Sequence, residues 1–198
     1  MKLILMMLAI SVGLFACKNK TETTTLKSED GKTEVSVNTS KMEAEANEMQ
    51  KKMEELKKLE PLTTDQVKTF FPDNLMGIKR SSYNANSAMG FSMGEAEYIE
   101  NDSTKLKLAV YDVAGEAGSG IYGLQFWGAM NMQSESDDGY TKTIDFNGKK
   151  AIEKFDANDH SYELMYMAHD RLMVNVTGVN TTLDMVKQAA NRLHFDIK

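Results

Sequence analysis

Asn147-Gly148 sits between two stretches whose residues match one another when counted outward from it, and this commits that part of the chain to antiparallel β-structure. A type I′ turn needs positive φ at both central residues, which Asn and Gly supply at least cost. The count opposes Asp145 to Lys150, Ile144 to Ala151, Lys142 to Glu153 and Tyr140 to Phe155. One register therefore gives two complementary charge pairs and two apolar pairs, and a slip of one residue would turn every side chain to the other face. Asp30-Gly31 repeats the signal, opposing Glu29 to Lys32, Lys27 to Glu34, Leu26 to Val35 and Thr24 to Val37. A lone two-stranded hairpin is marginal in water, so this one either docks on a larger sheet or flickers.

The same turn-and-alternation reading runs through the chain beyond Glu60. Thr63-Thr64-Asp65-Gln66 caps a short helix through Phe70, which Pro72 closes. Strands are expected over Leu75 to Ser82, Gly94 to Ile99 and Lys105 to Val113, the first two separated by a looser Asn/Ser/Gly-rich segment. A Gly-rich helical crossing follows, then the Asn147-Gly148 hairpin and a second hairpin turning at His169-Asp170. The register expected for that second hairpin puts Met165 and Met167 on one face with Leu172, Val174 and Val176, leaving Tyr162, Leu164, Tyr166 and Met173 on the other. Thr181-Thr182-Leu183-Asp184 caps a last helix whose Leu183, Val186, Ala190 and Leu193 form a core-facing stripe. The expected class is α+β: an antiparallel sheet of about six to seven strands with helices packed on it, over residues 61–198. In outline this order resembles the PsbP-like fold of photosystem extrinsic subunits, and the closing pattern resembles small bacterial lipoproteins of unknown function. The resemblance rests on element order and implies a fold, not an activity.

Ahead of the domain, residues 40–60 read as an amphipathic helix. Ser40 and Glu43 have the spacing of a capping box, and Pro61 ends the segment. Met42, Ala46, Met49, Met53 and Leu56 recur at helical spacing, with Glu48/Lys52 and Glu54/Lys58 as i, i+4 pairs on the wet side. Such a seam either docks on its own domain or receives a partner protein of the envelope, and methionine-rich seams adapt to several partners. Residues 17–39 read as a tether with a possible hairpin, the stretch Lys18 to Thr24 being all Lys, Asn, Thr and Glu.

The first sixteen residues have the form of a secretory signal. Lys2 precedes the apolar run Leu3 to Phe15, broken only by Ser11 and Gly13 and too short to span a bilayer. The run ends Leu14-Phe15-Ala16-Cys17, which resembles the lipobox of bacterial lipoproteins, and Cys17 is the only cysteine in the 198 residues. The resemblance implies cleavage before Cys17 and its acylation, palmitate included, as a lipid anchor. With each buried methylene worth about 0.8 kcal/mol, two or more acyl chains hold a protein stably on a membrane. Lys18 in the next position implies, by the family's sorting rule, the outer membrane, and the expected orientation is periplasmic.

Composition narrows the chemistry. One cysteine leaves no intramolecular disulfide or cysteine zinc cluster, and a formal charge of -6 with pI near 5.2 argues against nucleic-acid binding. The acidity belongs to the domain: from Leu62 on there are thirteen Lys and Arg against nineteen Asp and Glu. Gly118-Ser119-Gly120-Ile121-Tyr122-Gly123 spells GxGxxG, but hairpins follow it where a dinucleotide fold needs a parallel βαβ unit, so it reads as a loop leading into a packed helix. Methionine pairs such as Met165-x-Met167 could offer thioethers to Cu(I), yet their expected phase with Leu172 and Val174 reads as core. His160, His169 and His194 read as solvated turn residues, and Glu135-Ser136-Asp137-Asp138 as a solvated loop. No catalytic residue, cofactor or metal ligand is assigned. The expectation is a lipid-anchored, non-catalytic binding or interaction module; an enzyme of unrecognised type and a small-ligand or Cu(I) carrier are the alternatives.

Overall fold

The computed structural model describes residues 23–27, 33–88, 90–124 and 131–197, with most side chains from residue 46 on. Eleven strands form one antiparallel sheet in the order β1-β2-β7-β8-β9-β10-β11-β6-β5-β4-β3. They are β1 (Thr23–Lys27), β2 (Thr33–Asn38), β3 (Asn74–Leu75), β4 (Ile78–Ala88), β5 (Phe91–Ile99), β6 (Lys105–Asp112), β7 (Asn131–Ser136), β8 (Gly139–Phe146), β9 (Lys149–Asp156), β10 (Ser161–Ala168) and β11 (Leu172–Val179). Four helices accompany them among the described residues: α1 (Thr39–Lys57), α2 (Thr64–Lys68), α3 (Gly115–Leu124) and α4 (Leu183–Asn191). The class is α+β, but nine strands lie beyond Pro61 instead of six or seven.

Two meanders build the sheet. β3 to β6 run in sequence order, β7 to β11 return toward them, and β6 meets β11 at the centre. Buried rows alternate as the pleat requires: Ala96 and Tyr98 on β5, Leu106, Leu108 and Val110 on β6, and Leu172, Val174 and Val176 on β11. On this face α2 packs against β4 and β5, and α4 against β10 and β11. The α2 capping box forms, with the Thr63 hydroxyl accepting from the Gln66 amide and the Gln66 side chain accepting from the Thr63 amide. Phe70 meets Phe195 edge-on at 5.2 Å, so the tail beyond α4 closes the core over α2. Both Gly-turn registers agree with the count: Tyr140↔Phe155, Lys142↔Glu153, Ile144↔Ala151 and Asp145↔Lys150 in one, and Thr24↔Val37, Leu26↔Val35 and Lys27↔Glu34 in the other. Asn147 and Gly148 have φ of 55° and 77°. The N-terminal hairpin docks, because β2 pairs with β7; its Glu29/Lys32 pair lies outside the described residues.

Four expectations are corrected. The segment expected to be loose is strand: β4 runs on to Ala88, because Tyr83 and Ala85 pack inward and the whole run pairs with β5 despite its poor β-propensity. Glu135 and Ser136 belong to β7, and only Asp137-Asp138 turn. The GxGxxG glycines lie inside α3, where a Cβ on Gly118 would stand 2.6 Å from the Val113 carbonyl carbon. That close approach to the preceding strand end, not a ligand, is what requires the glycine.

The fourth correction is the second hairpin. His169 and Asp170 form the turn as expected, both at φ of 52°, but Arg171 is an extra residue and the register becomes Ala168↔Leu172, Met167↔Met173 and Met165↔Asn175. One bulged residue exchanges the faces. Leu164, Tyr162 and Tyr166 join Val174 and Val176 on the helix-covered side, whereas Met165 and Met167 share the opposite side with Met173.

Candidate functional site

β8, β9 and α4 build the most organised polar constellation among the described residues. Glu153 is 1% exposed on β9. Its Oε1 accepts from Tyr140 Oη at 2.8 Å and pairs with Lys142 Nζ at 2.9 Å, while Oε2 pairs with Lys187 Nζ at 2.9 Å. The register sets Lys142 directly opposite Glu153, and Tyr140 lies two residues along on the same face. Lys187 arrives from α4, near the midpoint of the helix capped by Thr182. Burial alone pushes the Glu153 carboxyl up, but the donors from Lys142, Lys187 and Tyr140 outweigh it and hold the group below the usual carboxylate range. Burial and the bond to Glu153 push the Tyr140 phenol well up, so it stays protonated as a donor.

The lysines are not consumed by this carboxylate. Two ammonium groups share one negative charge, and their side chains remain 40% and 33% exposed. One unit of positive charge is therefore left at the surface of an acidic domain, with spare N–H donors facing water. Beside them runs a ladder of rings across three strands. Tyr140 and Phe155 have centroids 5.9 Å apart, Phe155 and Tyr162 4.7 Å, and Lys142 lies 4.6 Å from the Tyr140 centroid. All three rings are only half-buried. The result is a cationic rim beside a ladder of mutually tilted rings, organised around a buried carboxylate.

The opposite face of the sheet carries a hollow of about 300 Å³ lined by Glu95, Glu97, Lys107, Ala109, Tyr111 and Asn175. Ala109 is the small floor residue between Glu95 and Asn175 in the cross-strand row. Burial, then Glu95 and Glu163, raise the Tyr111 phenol. Asn175 Nδ2 donates to Glu163, while its buried Oδ1 has no hydrogen-bond partner among the described residues.

The residues singled out from sequence fall in different places. Cys17 lies outside the described residues, as does the side chain of Met42. Leu56 is fully buried, and Met53 is half-buried against Gly123 of α3, so this end of the methionine seam is covered from within the chain; Met49 is half-buried. His160 and His169 stand exposed at opposite ends of β10, and His194 follows α4. Among the described residues no group of three His, Cys, Asp or Glu could hold a metal ion. The Lys142/Glu153 and Tyr140/Phe155 pairs were readable from the Asn147-Gly148 count. Lys187 and Tyr162 were not, since joining them to the site needs the β9–β10 register and the crossing of α4. No family model, curated protein or solved structure matches the chain.

Proposed function

We propose that the protein is a lipid-anchored lipoprotein of the bacterial cell envelope, held by acylated Cys17 on the periplasmic side of an outer membrane, and that its domain is a non-catalytic binding module. The observation that carries the anchor is Leu14-Phe15-Ala16-Cys17 at the end of an apolar run, with the chain's sole cysteine at the one position acylation requires. Lys18 to Glu22 would then be the whole tether before β1, five residues spanning at most about 18 Å. Substituting Cys17→Ser should move the protein from the membrane to the soluble fraction and abolish palmitate labelling. A variant that still sediments and takes up label contradicts the anchor.

For the binding role the supporting feature is the Lys142/Lys187 rim over the Tyr140, Phe155 and Tyr162 rings. Its chemistry suits an anionic group, carboxylate or phosphate, attached to a flat or apolar body. Titrations with inorganic phosphate and with benzoate, followed through the Tyr140 and Phe155 resonances, separate the two headgroups. Saturable shifts are expected, weakened about tenfold or more when Lys142→Met and Lys187→Met are combined, which is about 1.4 kcal/mol. Shifts that never saturate, or that survive the double substitution, count against this surface.

A further inference from the structure

The sheet has two edges, β1 and the β4–β3 side, and the second is the longer. β3 pairs with β4 only at Asn74↔Lys79 and Leu75↔Ile78, so β4 from Ser81 to Ala88 has β5 on one side and no strand among the described residues on the other. Ser81, Ser82, Asn84, Asn86 and Ser87 are exposed. Natural edges are usually blunted by Lys, Pro or brevity, because unpaired backbone amides and carbonyls recruit another strand. Here the run has no charge, no proline and about eight residues of length. The only blunting device is the bulge between Arg80 and Ser82, at its start, where the Arg80 amide is already taken by the Asp73 carbonyl.

We infer that this edge pairs with itself: two copies of the chain join β4 to β4 antiparallel about a two-fold axis through Asn84, giving one continuous sheet. That axis pairs seven of the eight residues of the free run, Ser81 to Ser87, with their copies. Tyr83 then opposes Ala85 on the α2 side, large against small, and Ser82 opposes Asn86 on the other face, polar against polar; Ser81 opposes Ser87 at the ends. Asn84 opposes its own copy, where paired side-chain amides exchange hydrogen bonds. Charge favours the same solution, since each copy carries a net -6 and the edge is the uncharged seam across which like charges repel least.

Single-cysteine cross-linking reads this register directly in the full-length protein, purified in detergent and oxidised at micromolar concentration. Asn84→Cys should give a disulfide-linked dimer in yields several-fold above the wild type. Ser82→Cys and Asn86→Cys should each remain monomeric alone and cross-link when mixed. Ala85→Pro, at an edge position whose amide faces away from β5 because the Ala88↔Phe91 turn pair sets the ladder's alternation, should halve the sedimenting mass of the protein while leaving its circular dichroism unchanged. If Asn84→Cys cross-links no better than Asp102→Cys at an exposed turn, or if Ser82→Cys cross-links alone as well as it does in the mixture, the pairing is wrong. A monomeric wild type whose β4 cross-links to a different protein also overturns self-pairing, in favour of a partner strand.

Discussion

Glu153 shows how a single buried carboxylate can organise a surface. A charge removed from water is costly unless donors surround it, and here three do, from two strands and a helix. Its carboxyl is held below the usual range, so the folded state favours the ionised form. The stabilisation is therefore complete above the ordinary glutamate value, about 4.3, and is lost as the pH falls through the lower folded value. Because both lysines are a third or more exposed and can rehydrate, Glu153→Gln should cost only about 1–3 kcal/mol at pH 7. Denaturant unfolding should show that gap closing between pH 5 and the acid limit; a gap that stays constant with pH would mean packing, not charge, is what the residue supplies. Gly178 sets a steric limit in the adjacent row, since a Cβ there would stand 2.4 Å from Thr181 Cγ2 and 2.7 Å from Val186 Cγ2. Nothing in the local sequence discloses that constraint, because its cause is α4 folding back over β11.

At the scale of elements, legibility depended on what fixes a register. Asn147-Gly148 and Asp30-Gly31 fix theirs by backbone chemistry alone, and the pairs counted from them are the pairs formed. His169-Asp170 fixes only the turn. Arg171 bulges because its side chain is drawn to buried Asp112, with Nε to Oδ1 at 2.7 Å and Nη2 to Oδ2 at 2.9 Å, and it also donates to the Glu60 carbonyl. That long-range clasp, across 59 residues, reset the hairpin and moved Met165 and Met167 off the core face. Asp112 also accepts from the Leu62 and Ala114 amides, so the cluster ties the start of the domain to the end of β6. Asp112→Ala should cost about 3–5 kcal/mol by leaving Arg171 without its counter-charge. Deleting Arg171 should do worse, returning a two-residue loop that turns one strand's apolar set away from the helices. Thermal unfolding reads both; a deletion variant that melts cooperatively near the wild-type temperature would refute this account of the bulge. β4 and β7 were illegible for a different reason: their Ser, Asn and acidic residues have weak strand preference, and neighbouring strands supply the pairing that overrides it.

For the whole molecule, the order of helices and hairpins was enough to give α+β, because alternating apolar residues and Gly turns admit little else. How the two meanders join was not readable. The crossing from β6 through α3 to β7 skips four strands, and only tertiary packing chooses where β7 lands. The candidate site was half legible for the same reason: the β8–β9 pairing and α4 are each visible in the sequence, but not the crossing of α4 that brings Lys187 to Glu153. The proposed compartment rests on Leu14 to Cys17, which lie outside the described residues, and so does the proposal of an anchored binding module. The intact mass of the protein extracted from membranes tests it most directly. The account predicts a chain that begins at Cys17 and carries two or three acyl chains on that residue; a mass corresponding to an unmodified Cys17, or to a chain beginning anywhere else, would contradict it.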